Sequence, residues 1–456
     1  MENELKRLSE AIEALRAELD ATKAECERYR NDAQRYRNEA RSAAANARTY
    51  AGASELCLQK QSWITEGVPT PPRPVAYYDA GENAYLMYHD RSSMEEFETY
   101  CKALKDAGYR KHCTEVMGKG THSFYYNEEV VISVTYSEHD NVLRAVVEPT
   151  TDTKLAPLGV ISDGKKTGVA PCFVQMNDHL NDVVDCGMSY IYRLSDGSFV
   201  IIDGGWNTEP IADALYEKLV SLAEGGEIII SAWFFTHAHV DHIGAFYTFA
   251  RKHGDKVTLK RVIYNFPGES RMTEMGDEFV RGFVRNFRRT LALFGEVDVI
   301  KARTGQRFHF VGLDMDQLFT YEDYIMPRPL RTFNDTSLAF LARAAGEQIF
   351  FPGDASDTMS AILVAKYGTL LESDVIQVAH HGYGGGTPEL YDTAKAPVVL
   401  WPVPYVHPKT GMPRYSDPEW SPITREMIRN YATDVYPQCE GTKTWLLPIS
   451  DKNELA

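Results

Sequence analysis

The chain has 456 residues, enough for two or three domains with a sizeable core, and its 44% hydrophobic and 25% charged content is that of ordinary globular proteins. No segment approaches the length of uninterrupted apolar sequence that a transmembrane helix needs, and the N-terminus lacks the apolar core of a signal peptide. Seven cysteines without C-x-x-C pairing fit free thiols in a reducing cytoplasm, so we expect a cytoplasmic protein without membrane contact.

The net charge of −16 bears on the kind of partner the protein binds. Residues 1–50 hold ten basic and ten acidic side chains, so the whole negative excess falls on residues 51–456. An acidic body repels a polyanion at long range. We therefore expect a small-molecule or nucleotide-like substrate, while a local basic groove for extended nucleic acid stays open.

Residues 1–50 carry a heptad pattern that predicts a coiled coil and self-association through it. An exposed apolar seam of this kind needs a partner helix. The alternative is a single amphipathic helix packed on its own globular domain, and the pattern does not decide between a dimer and a trimer. The seam positions are Leu5, Leu8, Ile12, Leu15, Leu19, Thr22, Cys26, Tyr29, Ala33, Tyr36, Ala40 and Ala43.

A Pro-rich linker and a small α+β module are expected next. Residues 51–74 include a run of prolines that cannot continue a helix. In the module, residues 75–157, a capped amphipathic helix over 93–104 precedes alternating strands at 123–126 and 130–136. Nothing in the module indicates chemistry, and the sequence does not disclose its role.

Residues 158–456 alternate strands with helices, which predicts two sheets with helices outside them. A hairpin is expected at residues 188–202, around the turn Ser195-Asp196-Gly197. Helices are predicted at 209–223, 242–253 and 272–294.

The most informative segment is His237-Ala238-His239-Val240-Asp241-His242, which places four metal-binding side chains within six residues. It follows an apolar run, residues 228–235, that predicts a buried strand, and it opens a helical pattern. Imidazole and carboxylate together suit zinc, iron or manganese rather than calcium. Single histidines are often solvated or structural, but this spacing at a strand exit predicts a metal site.

Four further short motifs end apolar strands with polar ligand types, and ligands at several strand ends make a site on one rim of a sheet. Each motif is weak alone, since strand-end Asp and His are common caps. Their appearance beside H-x-H-x-D-H strengthens the metal prediction. They contain Asp203 before Gly204-Gly205, Asp354 after Pro352-Gly353, His380-His381 before Gly382, and His407 before Pro408.

Taken in order over roughly residues 170–450, these motifs and Asn334-Asp335 resemble the metallo-β-lactamase superfamily, in particular the hydrolase domain of ComEC-type DNA-uptake proteins. The resemblance implies an α+β fold, an αβ/βα four-layer sandwich, for residues 158–456. It also implies a site for two divalent ions, for which zinc is preferred over manganese or iron.

The same resemblance implies a role for each motif residue. His237 and His239 would hold one ion, Asp241 and His242 the other, and Asp354 would bridge them. His381, or its neighbour His380, would complete the second site, with Asp203 and Asn334 orienting the ligands. Many relatives supply a third histidine to the first ion, whereas this chain has none between His309 and His380, so a single-ion site remains an alternative.

The predicted function is hydrolysis by a metal-activated hydroxide, with a phosphodiester or related ester as the substrate class implied by the resemblance. Asp241 and His407 are the candidate catalytic residues, and His407 is assigned to substrate contact or leaving-group protonation, with a structural loop role as its alternative. Two other functions stay open. One is a coiled-coil scaffold or sensor with a regulatory metal domain, and the other is a di-iron redox protein of the same fold.

Overall fold

The computed structural model describes residues 66–71, 76–81, 84–178, 186–268, 272, 278–324, 330, 332–403, 417 and 419–455. The predicted coiled coil of residues 1–50 and most of the predicted linker, 51–74, lie outside the described residues. Among the helices that are described, none is long and apolar enough to cross a membrane.

A six-stranded antiparallel sheet and one helix form the N-terminal part of the described chain. Helix α1, Met94–Asp106, starts with a capping box in which Ser93 and Glu96 each accept a hydrogen bond from the other's backbone N–H. Its apolar face packs on the sheet around Ile132 and Val134, which makes the predicted helix and strands of this module part of one core. In spatial order the strands are β1 (Ala76–Gly81), β2 (Ala84–His89), β6 (Val142–Pro149), β5 (Val130–Ser137), β4 (Gly120–Tyr126) and β3 (Arg110–Met117).

Two larger sheets follow, one of eight strands and one of seven. The eight-stranded sheet runs β13 (Asp298–Lys301), β12 (Arg261–Tyr264), β10 (Ile229–Phe234), β9 (Phe199–Ile202), β8 (Tyr190–Arg193), β7 (Cys172–Gln175) and β21 (Lys443–Leu446), with β11 (Thr258–Leu259) also pairing with β10. The seven-stranded sheet runs β14 (Arg307–Phe310), β15 (Leu313–Phe319), β16 (Ala339–Ala344), β17 (Glu347–Phe351), β18 (Val375–Gln377), β19 (Val398–Trp401) and β20 (Asp434–Pro437).

Three apolar cores order these elements into layers of helices, sheet, sheet and helices. Phe173 and Tyr190 of the first sheet pack with Phe340 and Phe351 of the second in the core between the sheets. A second core lies between the eight-stranded sheet and three helices, and a third lies between the seven-stranded sheet and three others. The first three helices are α2 (Glu209–Ala223), α3 (Val240–His253) and α4 (Glu278–Leu291), and the others are α5 (Asp357–Tyr367), α6 (Pro388–Ala394) and α7 (Pro422–Tyr431).

The direction of the strands explains why chemically active side chains meet at one edge. Strands β9 and β10 are parallel neighbours, and so are β17, β18 and β19. The carboxyl ends of parallel strands lie along the same edge of a sheet, and ligand sites form there. Loops that leave these ends therefore bring residues distant in sequence together.

Buried ion pairs fix the six-stranded sheet to the rest of the structure. Glu148, at the end of β6, lies 2.5 Å from Arg303 and 3.0 Å from Lys301. Arg144 of the same strand lies 2.6 Å from Asp323, which also pairs with Lys366 at 2.8 Å. All of these side chains are buried. The six-stranded sheet is thus joined to the part of the structure that contains the two larger sheets by buried ion pairs. Each of these charges would be unfavourable to bury without its partner.

Candidate metal centre

Four short segments bring the predicted site residues to the edge where β9, β10, β17 and β18 end. Asp203 follows β9 directly, and the H-x-H-x-D-H segment connects β10 to α3. Asp354 follows β17, and His380 and His381 follow β18 in a 3₁₀ turn. The structure therefore places the predicted residues of four separate motifs next to one another.

The backbone is strained at three of these positions. Asp203, His380 and His381 have φ values of 53°, 46° and 55°, in the left-handed region that residues other than glycine rarely adopt. Such conformations cost of order 1–3 kcal/mol each and persist where the surroundings impose them, which is common at functional sites. The two consecutive left-handed histidines turn neighbouring side chains in different directions.

Imidazoles surround one oxygen of Asp354. Its Oδ2 lies 3.4 Å from Nε2 of His242, 3.6 Å from Nε2 of His381 and 3.7 Å from Nε2 of His237. Nε2 of His380 lies slightly farther away, at 3.9 Å. The other oxygen, Oδ1, is buried and has no hydrogen-bond partner among the described residues. Asp354 thus stands at the centre of the histidine cluster with acceptor capacity unused.

Hydrogen bonds behind the cluster determine which ring nitrogen faces inward. The carboxylate of Asp203 accepts hydrogen bonds from the N–H and the hydroxyl of Thr236, and lies 2.8 Å from Nδ1 of His242. Nδ1 of His381 lies 2.8 Å from the carbonyl oxygen of Pro402. With Nδ1 as donor in both rings, Nε2 of each keeps its lone pair for the cluster.

His380 and His381 have different surroundings. His381 is 1% exposed, and its Nε2 lies 3.1 Å from Nε2 of His242 and 3.4 Å from Asp241. His380 is 31% exposed, and its Nε2 accepts a hydrogen bond from the amide of Asn334 at 2.9 Å. The geometry therefore favours His381 as the ligand and places Asn334 and His380 beside the cluster.

The remaining predicted site residues are distributed as follows. His239 stands at the N-cap of α3, with its Nδ1 3.0 Å from Nε2 of His237. His407, the candidate for leaving-group protonation, lies outside the described residues. Asp335, from the Asn334-Asp335 motif, is buried but belongs to none of the three ligand groups described below.

The charges of the cluster favour a cation at its centre. Burial raises the pKa of Asp354, but His242, His381 and His237 outweigh burial and hold that pKa well below its usual range. Burial lowers the pKa of His242, but the carboxylates, Asp354 first, outweigh it and raise the pKa well above its ordinary value. The pKa of His381 is raised in the same way. A divalent ion would take the place of the protons that these carboxylates otherwise stabilise.

The distances fit metal ligation. Two atoms that bind one ion at about 2.0–2.2 Å stand about 2.8–3.6 Å apart for octahedral to tetrahedral angles. The pairs His237–His239, at 3.0 Å, and His242–His381, at 3.1 Å, lie in that range. Among the described residues there are three groups in which all ligand atoms lie within 4.8 Å of one another, and Asp354 belongs to two of these groups. These groups are His237–His239–Asp354, His242–Asp354–His381 and Cys186–Asp241–His381.

The third group contains a residue that sequence reasoning missed. Sγ of Cys186, which is 4% exposed, lies 3.5 Å from Oδ2 of Asp241. Fully buried Asp178 also lies close by: burial, and then the charge of Asp241, raise its pKa to about 8. No C-x-x-C or similar spacing marks Cys186, so only the folded chain reveals its position.

The model of the metallo-beta-lactamase superfamily matches residues 184–383, a segment that contains H-x-H-x-D-H, Asp354 and His381. No curated protein matches the chain in sequence.

Several solved structures resemble the chain distantly. The metallo-beta-lactamase fold protein YhfI from Bacillus subtilis is 12% identical, with 60% of this chain and 99% of that chain covered and a TM-score of 0.36. CmlA, a diiron beta-hydroxylase from Streptomyces venezuelae, is 14% identical, with 66% of this chain and 55% of that chain covered and a TM-score of 0.34. Zn(2+)-bound PqqB from Methylobacterium extorquens is 10% identical, with 46% of this chain and 72% of that chain covered and a TM-score of 0.29. Resemblances this distant assign neither a metal nor a substrate to this chain.

Proposed function

We propose that the protein is a metal-dependent hydrolase of the metallo-beta-lactamase superfamily, whose family model matches residues 184–383. Members of this superfamily are mostly metal-dependent hydrolases that bind divalent ions, typically two. The observation that carries the proposal is the position of Asp354 Oδ2, between 3.4 and 3.9 Å from four imidazole nitrogens.

In the proposed centre, His237 and His239 would hold the first ion, and Asp241, His242 and His381 would hold the second. Asp354 lies between the two sets and would contribute to both. The histidine and carboxylate donors suit zinc first, and manganese or iron as alternatives. Bound there, two such ions would polarise the substrate and lower the pKa of a water between them towards ~7.

The protein residues around the centre hold this arrangement rigid. Asp203 orients His242, and the carbonyl of Pro402 orients His381, so neither ring needs to turn before it binds. His380, partly exposed and bonded to Asn334, faces the approach to the centre and is proposed to contact the substrate. His407 remains the predicted proton donor to the leaving group, and an unchanged kcat and KM in the His407→Ala variant would rule that role out.

A phosphodiester is the proposed substrate class. The proposal rests on the order of the motifs, which is similar to that in the hydrolase domain of ComEC-type DNA-uptake proteins. The net charge of −16 favours small or nucleotide-like phosphodiesters over long nucleic acid.

The test is hydrolysis of bis(p-nitrophenyl) phosphate and of a p-nitrophenyl carboxylic ester by protein reloaded with zinc or manganese. Asp354→Asn should lower kcat at least about a hundredfold, because removing one preorganised charged group at a reacting centre costs that much or more. Asp357→Asn, at an exposed position on α5, is the matched control and should keep full activity. Wild-type protein with bound metal that hydrolyses neither ester faster than Asp354→Asn would contradict the proposal.

A further inference from the structure

We propose that Cys186 is a ligand of the second metal ion through its thiolate, together with Asp241 and His381. This inference rests on the proposed metal centre and adds a donor that the histidine and aspartate motifs do not contain. Cys186 lies ahead of β8, far in sequence from the other ligands.

The first support is the convergence of three donor atoms on one carboxylate oxygen. Oδ2 of Asp241 lies 3.4 Å from Nε2 of His381, 3.5 Å from Sγ of Cys186 and 3.9 Å from Nε2 of His242. A sulfur at about 2.3 Å and an oxygen at about 2.1 Å from one tetrahedral ion stand about 3.6 Å apart. The distance between Cys186 and Asp241 therefore fits ligation of a common ion.

The second support is Asp178, a carboxylate with no side-chain exposure that lies against the same segment. A Cβ added at Gly187, the residue after Cys186, would lie 1.7 Å from Oδ2 of Asp178, so the carboxylate packs directly on that backbone. Neither oxygen of Asp178 has a well-formed hydrogen bond from the described residues, although the backbone N–H of Trp206 partly stabilises the carboxylate. Burying a charged carboxylate that lacks full hydrogen bonding lowers the stability of the fold, and a nearby cation offsets much of this loss.

The competing interpretation is a neutral thiol that donates a weak hydrogen bond to Asp241, since 3.5 Å also suits an S–H···O contact. The two interpretations differ in the number of protons. Ligation converts the Cys186 thiol into a thiolate and releases its one proton to the solvent when the second ion binds, whereas a hydrogen-bonded thiol keeps its proton. A thiolate ligand also moves the preference of the site towards zinc, cobalt and iron and away from manganese.

The test uses the full chain loaded with cobalt(II), because sulfur bound to cobalt gives an intense near-ultraviolet charge-transfer band that nitrogen and oxygen ligands do not give. Wild-type protein should show this band, Cys186→Ser should lose it, and Cys172→Ser should keep it. Cys172 is also buried and is the matched control. Cys186→Ser should bind the second ion more than about tenfold more weakly, since even indirect partners of a metal contribute ten- to hundredfold.

The outcomes separate this inference from the proposed function. The role of Cys186 would be overturned if the protein binds two cobalt ions and hydrolyses the ester but shows no charge-transfer band. It would also be overturned if the band persists in Cys186→Ser. Either result would leave the hydrolase proposal standing. A chain that takes up no metal would overturn both. If Cys186→Ser does not fold, wild-type protein loaded with cadmium-113 answers the question, because a correlation between the metal and the Cβ protons of Cys186 appears only when its sulfur is bound.

Discussion

At the scale of single residues, the centre depends on side chains that hold the ligands in place. Asp203 is the clearest case, because it bonds to Thr236 on one side and to His242 on the other while its own backbone is left-handed. Carboxylate–histidine–metal arrangements of this kind fix the ring and raise its basicity. The strain at Asp203 is therefore tied to the orientation of His242.

Asp203→Asn should weaken binding of the second ion about 10–100-fold, because the neutral amide no longer accepts as strongly from His242. Asparagine tolerates a positive φ, so the loss is not due to backbone strain. Titration of the apo protein with zinc in competition with a chelator measures the change. An affinity equal to that of wild type would contradict the role assigned to Asp203.

The adjacent histidines allow a matched pair of variants. His381→Ala should reduce bound metal from about two ions per chain towards one, whereas His380→Ala should keep both, because only His381 is fully buried in the ligand cluster. Both substitutions place alanine at a positive φ, so the backbone penalty is similar in each. Metal content of the two variants is measured side by side, and the reverse pattern would show that His380 is the ligand.

At the scale of elements, the ends of β9, β10, β17 and β18 set the site, while β6 attaches the small sheet. Glu148→Gln should destabilise the fold by about 3–5 kcal/mol, because it leaves Lys301 buried without its anion and removes one of the two carboxylates, Glu148 and Glu322, that pair with Arg303. Chemical denaturation measures the loss. Asp106→Ala, which breaks the exposed pair with Lys102 in α1, is the control and should cost no more than about 0.5 kcal/mol. Equal costs for the two variants would contradict a buried attachment.

Strand β4 carries a pH-sensitive residue, His122, where the six-stranded sheet contacts the rest of the structure. Burial lowers the pKa of His122 to about 3; nearby Asp323 opposes this shift, and Lys366 and Arg144 add to it. The ring packs against Gly305, where an added Cβ would lie 2.1 Å from its Cγ. His122 is thus held neutral between the small sheet and the body.

Because the folded pKa of His122 is below the unfolded value of about 6.5, the unfolded chain binds the extra proton first. The contribution of His122 is complete above pH 6.5 and is lost as the pH falls from there towards 3, at up to about 1.4 kcal/mol per pH unit. Unfolding free energies measured between pH 6.5 and 5 should fall more steeply for wild type than for His122→Gln. Parallel slopes would mean that His122 is protonated in the folded state.

At the scale of the whole molecule, the mixed α+β fold and the clustering of motif residues followed from the sequence, because strand-end Asp and His residues recur at one edge of parallel strands. Three features did not follow. The choice of His381 over His380 depends on two left-handed residues that no spacing encodes. Cys186 comes from a separate segment, and the attachment of the small sheet depends on ion pairs between β6 and residues more than a hundred positions away.

We propose that one centre in this protein holds two divalent ions. Mass spectrometry of the metal content, on the chain purified without a metal-affinity tag, tests this proposal. We expect about two zinc or manganese ions per chain, falling to one or none in Asp354→Asn. Two iron ions with visible absorption would favour a redox protein instead, and a chain that holds no metal and takes none up on reconstitution would contradict the account.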